Sequence, residues 1–219
     1  MPGSAAVKST EPKQIVFVVD DDIDVREGLR ALLHSVSLAC EVFPSTKEFL
    51  NRKPTDAVSC LVLDVRLPGP SGLDFQAELA RAHIDIPIIF ITGYGDIPMT
   101  VRAMKAGAVE FLTKPVREQD LLDAINVALE RDRARRENDD RLRQLKTRFE
   151  SLSDREREVL TLVIAGMLNK QIAGEMKLSE VTVKVHRHNL MKKLGAKSVP
   201  GLVRMADTLG VVPRTGGAA

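Results

Sequence analysis

Three adjacent carboxylates, Asp20, Asp21 and Asp22, close the stretch "VFVVDDD". At neutral pH they repel one another, so solvation, helix capping or a bound cation must offset the repulsion. Other polar residues end similar apolar runs: Asp64 after "SCLVL", Thr92 and Gly93 after "IIFI", Lys114 and Pro115 after "EFLT". Were these runs strands of one parallel sheet, the carboxylates, a hydroxyl and an ammonium would meet at one edge, where such sheets bind ligands. An all-oxygen cluster suits a hard cation such as Mg²⁺, which favours phosphate ligands, and a lysine offers phosphoryl oxygens a further partner. A carboxylate beside Mg²⁺ can accept a phosphoryl group as an acyl phosphate. Asp64, alone at its strand end, is the candidate nucleophile, and the Asp20–Asp21 pair suits the metal. Asp22 is left over. It either caps a helix starting near Asp24 or adds a water-mediated contact to the ion.

The elements that must position these groups are legible as periodic runs. Strands are expected at 15–19, 39–43, 58–63, 86–91 and 109–112, rich in Val, Ile, Leu and Phe as strands buried on both faces are. Between them, Val25, Leu29, Leu32 and Leu33 fall at helical spacing, Ser45 and Glu48 form a capping box, and helices are expected at 72–81 and 98–106. Such βα alternation predicts an open parallel sheet with helices on both faces. The last helix runs on without Pro or Gly from Glu118 to Leu152, and between Arg131 and Arg141 its only apolar residue is an alanine. That part is expected to be solvated all round, as a helical linker or as a disordered charged tether.

Beyond the linker, four short helices are expected. Ser153 and Glu156 form a capping box, Gly166 ends the first helix, Asn169–Met176 forms the second, Ser179 caps the third and Gly195 ends it, and the fourth lies near 198–209. A short helix, a tight turn and a longer helix describe a helix-turn-helix. In "SEVTVKVHRHNLMKKL", the pattern assigns Val181, Val185 and Leu194 to an inner face and leaves Lys184, Arg187, His188 and Lys192 pointing outward, a cationic face suited to a DNA major groove. Charge agrees with two separate jobs. Residues 151–219 carry 11 Lys and Arg against 6 Asp and Glu, and the other 150 carry 21 against 24, so a polyanion is an expected partner for the rear.

The chain of 219 residues, 44% hydrophobic and 28% charged, is long enough for two domains. No apolar run of about 18 residues occurs, and "MPGSAAVKSTEPK" lacks the apolar core of a signal peptide, so a cytoplasmic, non-membrane protein is expected. Cys40 and Cys60 read as buried thiols.

Together, "VVDDD", "LVLDVRLPGPSG", "FITGYGD" and "AVEFLTKP" resemble the receiver domain of two-component response regulators over residues 14–130. The resemblance implies a flavodoxin-like five-stranded sheet of order 2-1-3-4-5, with Asp64 as phosphoacceptor and Mg²⁺ on Asp20, Asp21, Asp64 and the backbone carbonyl of Arg66. It further implies that Thr92 and Lys114 bind phosphoryl oxygens, that the Lys114–Pro115 bond is cis, and that Phe111 is a switch aromatic. Arg66 and Tyr94 would flank the phosphoryl group. Leu67 stands where many relatives have Met, a departure that touches no chemistry.

Residues 151–212, through "LSDREREVL", "NKQIA" and "TVKVHRHNLMKKLG", resemble the LuxR-type helix-turn-helix of NarL- and FixJ-class regulators, and both halves are most similar to the FixJ-like subgroup. On that pattern Lys184, Val185 and His188 face bases, and Lys170, Thr182 and Lys192 approach phosphates. The implied protein is a transcription factor whose partners are a sensor histidine kinase, double-stranded promoter DNA, RNA polymerase and a second copy of itself. The implied organisation is a receiver, a linker at 131–150 and the DNA-binding domain, and from their residues the tails at 1–13 and 213–219 are expected to be disordered. One rival is a metal-dependent phosphatase or phosphotransferase using an aspartyl phosphate, but the chain has no sequence for a cap over a substrate pocket. The absence of a P-loop pattern argues against an ATPase activator.

Overall fold

The computed structural model describes residues 14–214. The tail expected at 1–13 and residues 215–219 of the other lie outside them. Two compact units divide between Arg136 and Glu137.

The first unit alternates strands and helices: β1 (Gln14–Val19), α1 (Ile23–Ser35), β2 (Ala39–Phe43), α2 (Thr46–Leu50), β3 (Val58–Asp64), α3 (Gly72–Arg81), β4 (Ile88–Thr92), α4 (Ile97–Lys105), β5 (Glu110–Thr113) and the first part of α5 (Glu118–Glu150). All strand pairs are parallel, in the order β2-β1-β3-β4-β5. This is the expected sheet, with β4 starting two residues later than the apolar run and β5 one residue later. Alternate residues along each strand feed two cores. Phe17, Leu61, Leu63 and Phe90 pack with Phe49 of α2 and Phe75 and Leu79 of α3. On the opposite face Val16, Val18, Val62 and Ile91 pack with Leu33 of α1 and Leu121, Ile125 and Leu129 of α5. Both faces being covered is the physical reason these strands read as nearly unbroken apolar runs. Cys60 is buried, Cys40 is partly buried, and both are free thiols.

One expectation for α5 fails. The stretch after Arg131 is not solvated all round, because Asp132 is fully buried. Its carboxylate accepts from the backbone N–H of Ser59 on β3 at 2.9 Å and pairs with Arg135 and Arg136, each at 2.6 Å. Arg136 in turn donates to the carbonyl of Asp56 at 3.2 Å. A buried carboxylate with an amide and two guanidiniums is satisfied, and it fastens α5 to the strand that ends in Asp64.

In the second unit, Leu145 and Phe149 of α5 pack against a core built by α6 (Asp154–Ile164), α7 (Asn169–Met176), α8 (Glu180–Leu194) and α9 (Val199–Thr208). The Ser153–Glu156 capping box forms in full. Glu156, 4% exposed, also accepts from Lys193 at 2.6 Å, tying the start of α6 to the end of α8. The side chain of Ser179 caps α8, and Gly195 ends it in the left-handed region at φ 73°. Arg214, inside the expected C-terminal tail, donates its N–H to the carbonyl of Thr161 at 3.2 Å. No helix among the described residues is long and apolar enough to cross a membrane.

Candidate functional site

Strand register creates the front site. Val19 of β1 lies level with Leu63 of β3, so the residues that follow, Asp20 and Asp64, emerge side by side at the sheet edge. Carboxylate oxygens of Asp20, Asp21 and Asp64 lie within 4.8 Å of one another. The Lys114 ammonium bridges two of them, 2.6 Å from Asp20 Oδ2 and 2.6 Å from Asp64 Oδ2. The other oxygens of these two are held by backbone: Asp20 Oδ1 accepts from the N–H of Asp22 at 2.9 Å, and Asp64 Oδ1 from the N–H of Arg66 at 2.9 Å. The backbone N–H of Lys114 donates to the carbonyl of Thr92 at 2.7 Å, which anchors the lysine beside the end of β4. The Lys114–Pro115 peptide bond is cis.

The electrostatics follow from burial. Asp20 is fully buried, and burial raises its carboxyl pKa above the ordinary 3.8, further than the Lys114 ammonium lowers it. Burial works against the Lys114 charge, yet the hydrogen bonds to Asp20 and Asp64 hold its pKa above the ordinary 10.5. Two or three carboxylates with one ammonium leave surplus negative charge, and the donors are all oxygen, so the set fits a hard divalent cation. Asp22 belongs elsewhere. Its side chain caps α1, accepting from the N–H groups of Asp24 and Val25.

Thr92 is fully buried on β4, one residue past Ile91, which lies level with Asp64. Its hydroxyl is engaged with the backbone N–H and carbonyl of Tyr94, both at 3.3 Å, rather than with a carboxylate. Phe111 is partly buried on β5 with its ring 6.1 Å from that of Phe90. The Arg66 guanidinium lies 4.7 Å from the centre of the Tyr94 ring, within cation–π range.

In the second unit Lys184, Val185, His188 and Lys192 are exposed on α8, and Lys170 is exposed on α7. Thr182 is partly buried, its hydroxyl 2.9 Å from that of Ser179. Two assignments from spacing need correction. Val181 and Val185 are 70% and 52% exposed, and the inner face is Val183, Leu190 and Leu194. Arg187 does not point freely outward: it donates to Asn169 Oδ1 at 2.9 Å and ties α8 to α7.

Residues 16–126 match the response regulator receiver domain, and residues 150–206 match the luxR family of bacterial regulatory proteins. The chain belongs to the response regulator family. It is similar to nodulation protein W of Bradyrhizobium diazoefficiens, 56% identical over 95% of this chain and 92% of that protein. The response regulator protein TmoT of Ectopseudomonas mendocina is 50% identical over 91% and 90% of the two chains. Among solved structures, the response regulator StyR superposes with a TM-score of 0.80 at 52% identity, over 90% of this chain and 99% of that one. The protein is thus a two-component transcriptional regulator with a LuxR-type DNA-binding domain, and the phosphatase rival falls away.

Within that family frame, three residues that support the site went unread in the sequence. Arg26 donates to the backbone carbonyl of Asp20 at 2.6 Å and so holds the loop that carries the acidic pair. A Cβ on Gly72 would stand 2.4 Å from the carbonyl oxygen of Asp64, so only glycine lets α3 start this close to the end of β3. A Cβ on Gly95 would stand 2.9 Å from the ring of Phe111. Both glycines lie inside the motifs "LPGPSG" and "TGYGD", a signal of close backbone approach, whereas nothing in the sequence marked Arg26.

Proposed function

We propose that a sensor histidine kinase transfers a phosphoryl group to Asp64 and that this modification promotes dimerisation and operator binding. The observation that carries the reading is the Lys114 ammonium shared between Asp20 and Asp64. It ties the lysine to the sheet edge where the carboxylates of Asp20, Asp21 and Asp64 gather.

In the transfer step the phosphorus–nitrogen bond to the kinase imidazole breaks as a bond forms to a carboxylate oxygen of Asp64, giving an acyl phosphate. Asp20, Asp21, Asp64 and the Arg66 carbonyl would hold Mg²⁺, which when bound supplies neutralisation of the charge that develops on the phosphoryl oxygens. Lys114 exchanges its contact with Asp64 for a phosphoryl oxygen. The Thr92 hydroxyl leaves the Tyr94 backbone and binds another, and Phe111 turns inward as Thr92 moves.

The face of α4, β5 and α5 then changes and pairs with a second copy. Exposed Ile97, Val101 and Met104 on α4 and Val127 on α5 support this choice of surface. Pairing sets two copies of α8 about one DNA turn apart. There Lys184, Val185 and His188 read bases, Lys170, Thr182 and Lys192 hold phosphates, and RNA polymerase is the downstream partner. Acetyl phosphate with Mg²⁺ is expected to label the wild type once per chain, with hydroxylamine-sensitive phosphate, and to leave Asp64→Asn unlabelled. Labelling of Asp64→Asn at the wild-type level would refute the assignment.

A further inference from the structure

We infer that Val181 is a specificity-determining residue, contacting the 5-methyl group of a thymine in the operator major groove. This rests on the reading of α8 as the base-reading helix. Val181 lies in the first turn of α8, and it is in the N-terminal turns that helix-turn-helix recognition helices touch base edges. Positions 181, 184, 185, 188 and 192 follow helical spacing along one stripe, and all five are exposed, while the opposite stripe of Val183, Leu190 and Leu194 is buried.

Val181, 70% exposed, is the most exposed apolar residue of that cationic stripe and lies one turn before Val185. Nothing in the domain's own packing requires it, since it is absent from the hydrophobic core of the unit. Nor does helix stability: a β-branched residue on a solvated helix face is a poorer helix former than the alanine or lysine that could stand there. An isopropyl group can neither donate nor accept a hydrogen bond. Among the edges that B-DNA presents in the major groove, the one apolar feature it can match is the thymine methyl.

The test uses the full chain, treated with acetyl phosphate and Mg²⁺, to select an operator from a randomised duplex library. Each thymine of that operator is then replaced in turn by deoxyuridine, which removes only the methyl group. At one thymine per half-site the replacement is expected to weaken wild-type binding about fourfold, the factor for burying one methyl group. The same replacement should change binding of Val181→Ala by less than about twofold, while Val185→Ala keeps the wild-type response there. Should Val181→Ala lose binding altogether, Val181→Thr, nearly isosteric, is read the same way. Identical deoxyuridine profiles for the wild type and both Val181 variants would overturn the inference and leave α8 as the reading helix. Failure of the wild type to enrich any sequence would instead remove the reading of α8, and the inference with it.

Discussion

Lys114 places its ammonium on the very carboxylate oxygens a cation would seek, 2.6 Å from one oxygen each of Asp20 and Asp64. On the proposed function, lysine and metal would therefore compete for the carboxylates as well as cooperate on a phosphoryl group. Lys114→Met is expected to bind Mg²⁺ at least about fivefold more tightly by calorimetric titration, because a positive charge a few ångströms away has been removed. The same variant should lose dimerisation driven by acetyl phosphate. Unchanged Mg²⁺ affinity would show that the lysine does not screen the acidic cluster. Gly72 tests the site from behind. In Gly72→Ala the new methyl meets the backbone oxygen of Asp64 and the Cα of Val65, neither of which is a flexible side chain. The expected cost is about 1–3 kcal/mol in urea unfolding, together with slower phosphoryl uptake, since the end of β3 must shift.

Elements are joined by two buried carboxylates that hydropathy could not reveal. Asp132 secures α5 to β3 through Ser59, and Asp132→Ala leaves that buried N–H without a partner. About 2 kcal/mol of stability should be lost in denaturant unfolding, with Asp132→Asn losing less because an acceptor remains. In the second unit Glu156 joins α6 to α8. Burial acts against its charge, but the Lys193 ammonium and the Ser153 amide win and hold its pKa below the ordinary 4.5. A lowered carboxyl pKa gives stability that is present above the unfolded value and lost as pH falls through the folded one. Calorimetry at stepped pH should show the melting-temperature gap between the wild type and Glu156→Gln narrowing as pH drops below about 4.5. A gap independent of pH would mean that the pair contributes packing rather than charge. The strands and most helix limits were legible in the sequence because strands buried on both faces leave unbroken apolar runs. Asp132 was not, since a polar residue inside a charged helix has no sequence mark of burial. On α8, valines at 181, 183 and 185 alternate, so that spacing alone did not say which of them face the core. The contact of Arg187 with Asn169 likewise depends on how two helices cross.

At the scale of the whole molecule, an acidic receiver unit and a basic helix-turn-helix unit each contain part of α5. Asp132, in the N-terminal half of α5, is bonded to Ser59 of β3, and Leu145 and Phe149 near its C-terminal end pack in the second core. The charge asymmetry predicts that binding to promoter DNA weakens steeply with salt, roughly 0.9 decades per decade of salt for each phosphate neutralised. Lys192→Ala and Lys170→Ala should each reduce that slope by about one such contact without changing sequence preference. On the proposed function phosphorylation controls assembly, and the most direct measurement is sedimentation velocity with Mg²⁺ and acetyl phosphate. The wild type is expected to pass from monomer to dimer as Asp64 is modified, and Asp64→Asn to remain monomeric at the same concentration. Dimerisation of Asp64→Asn on addition of acetyl phosphate, or a fully phosphorylated wild type that stays monomeric, would contradict the account.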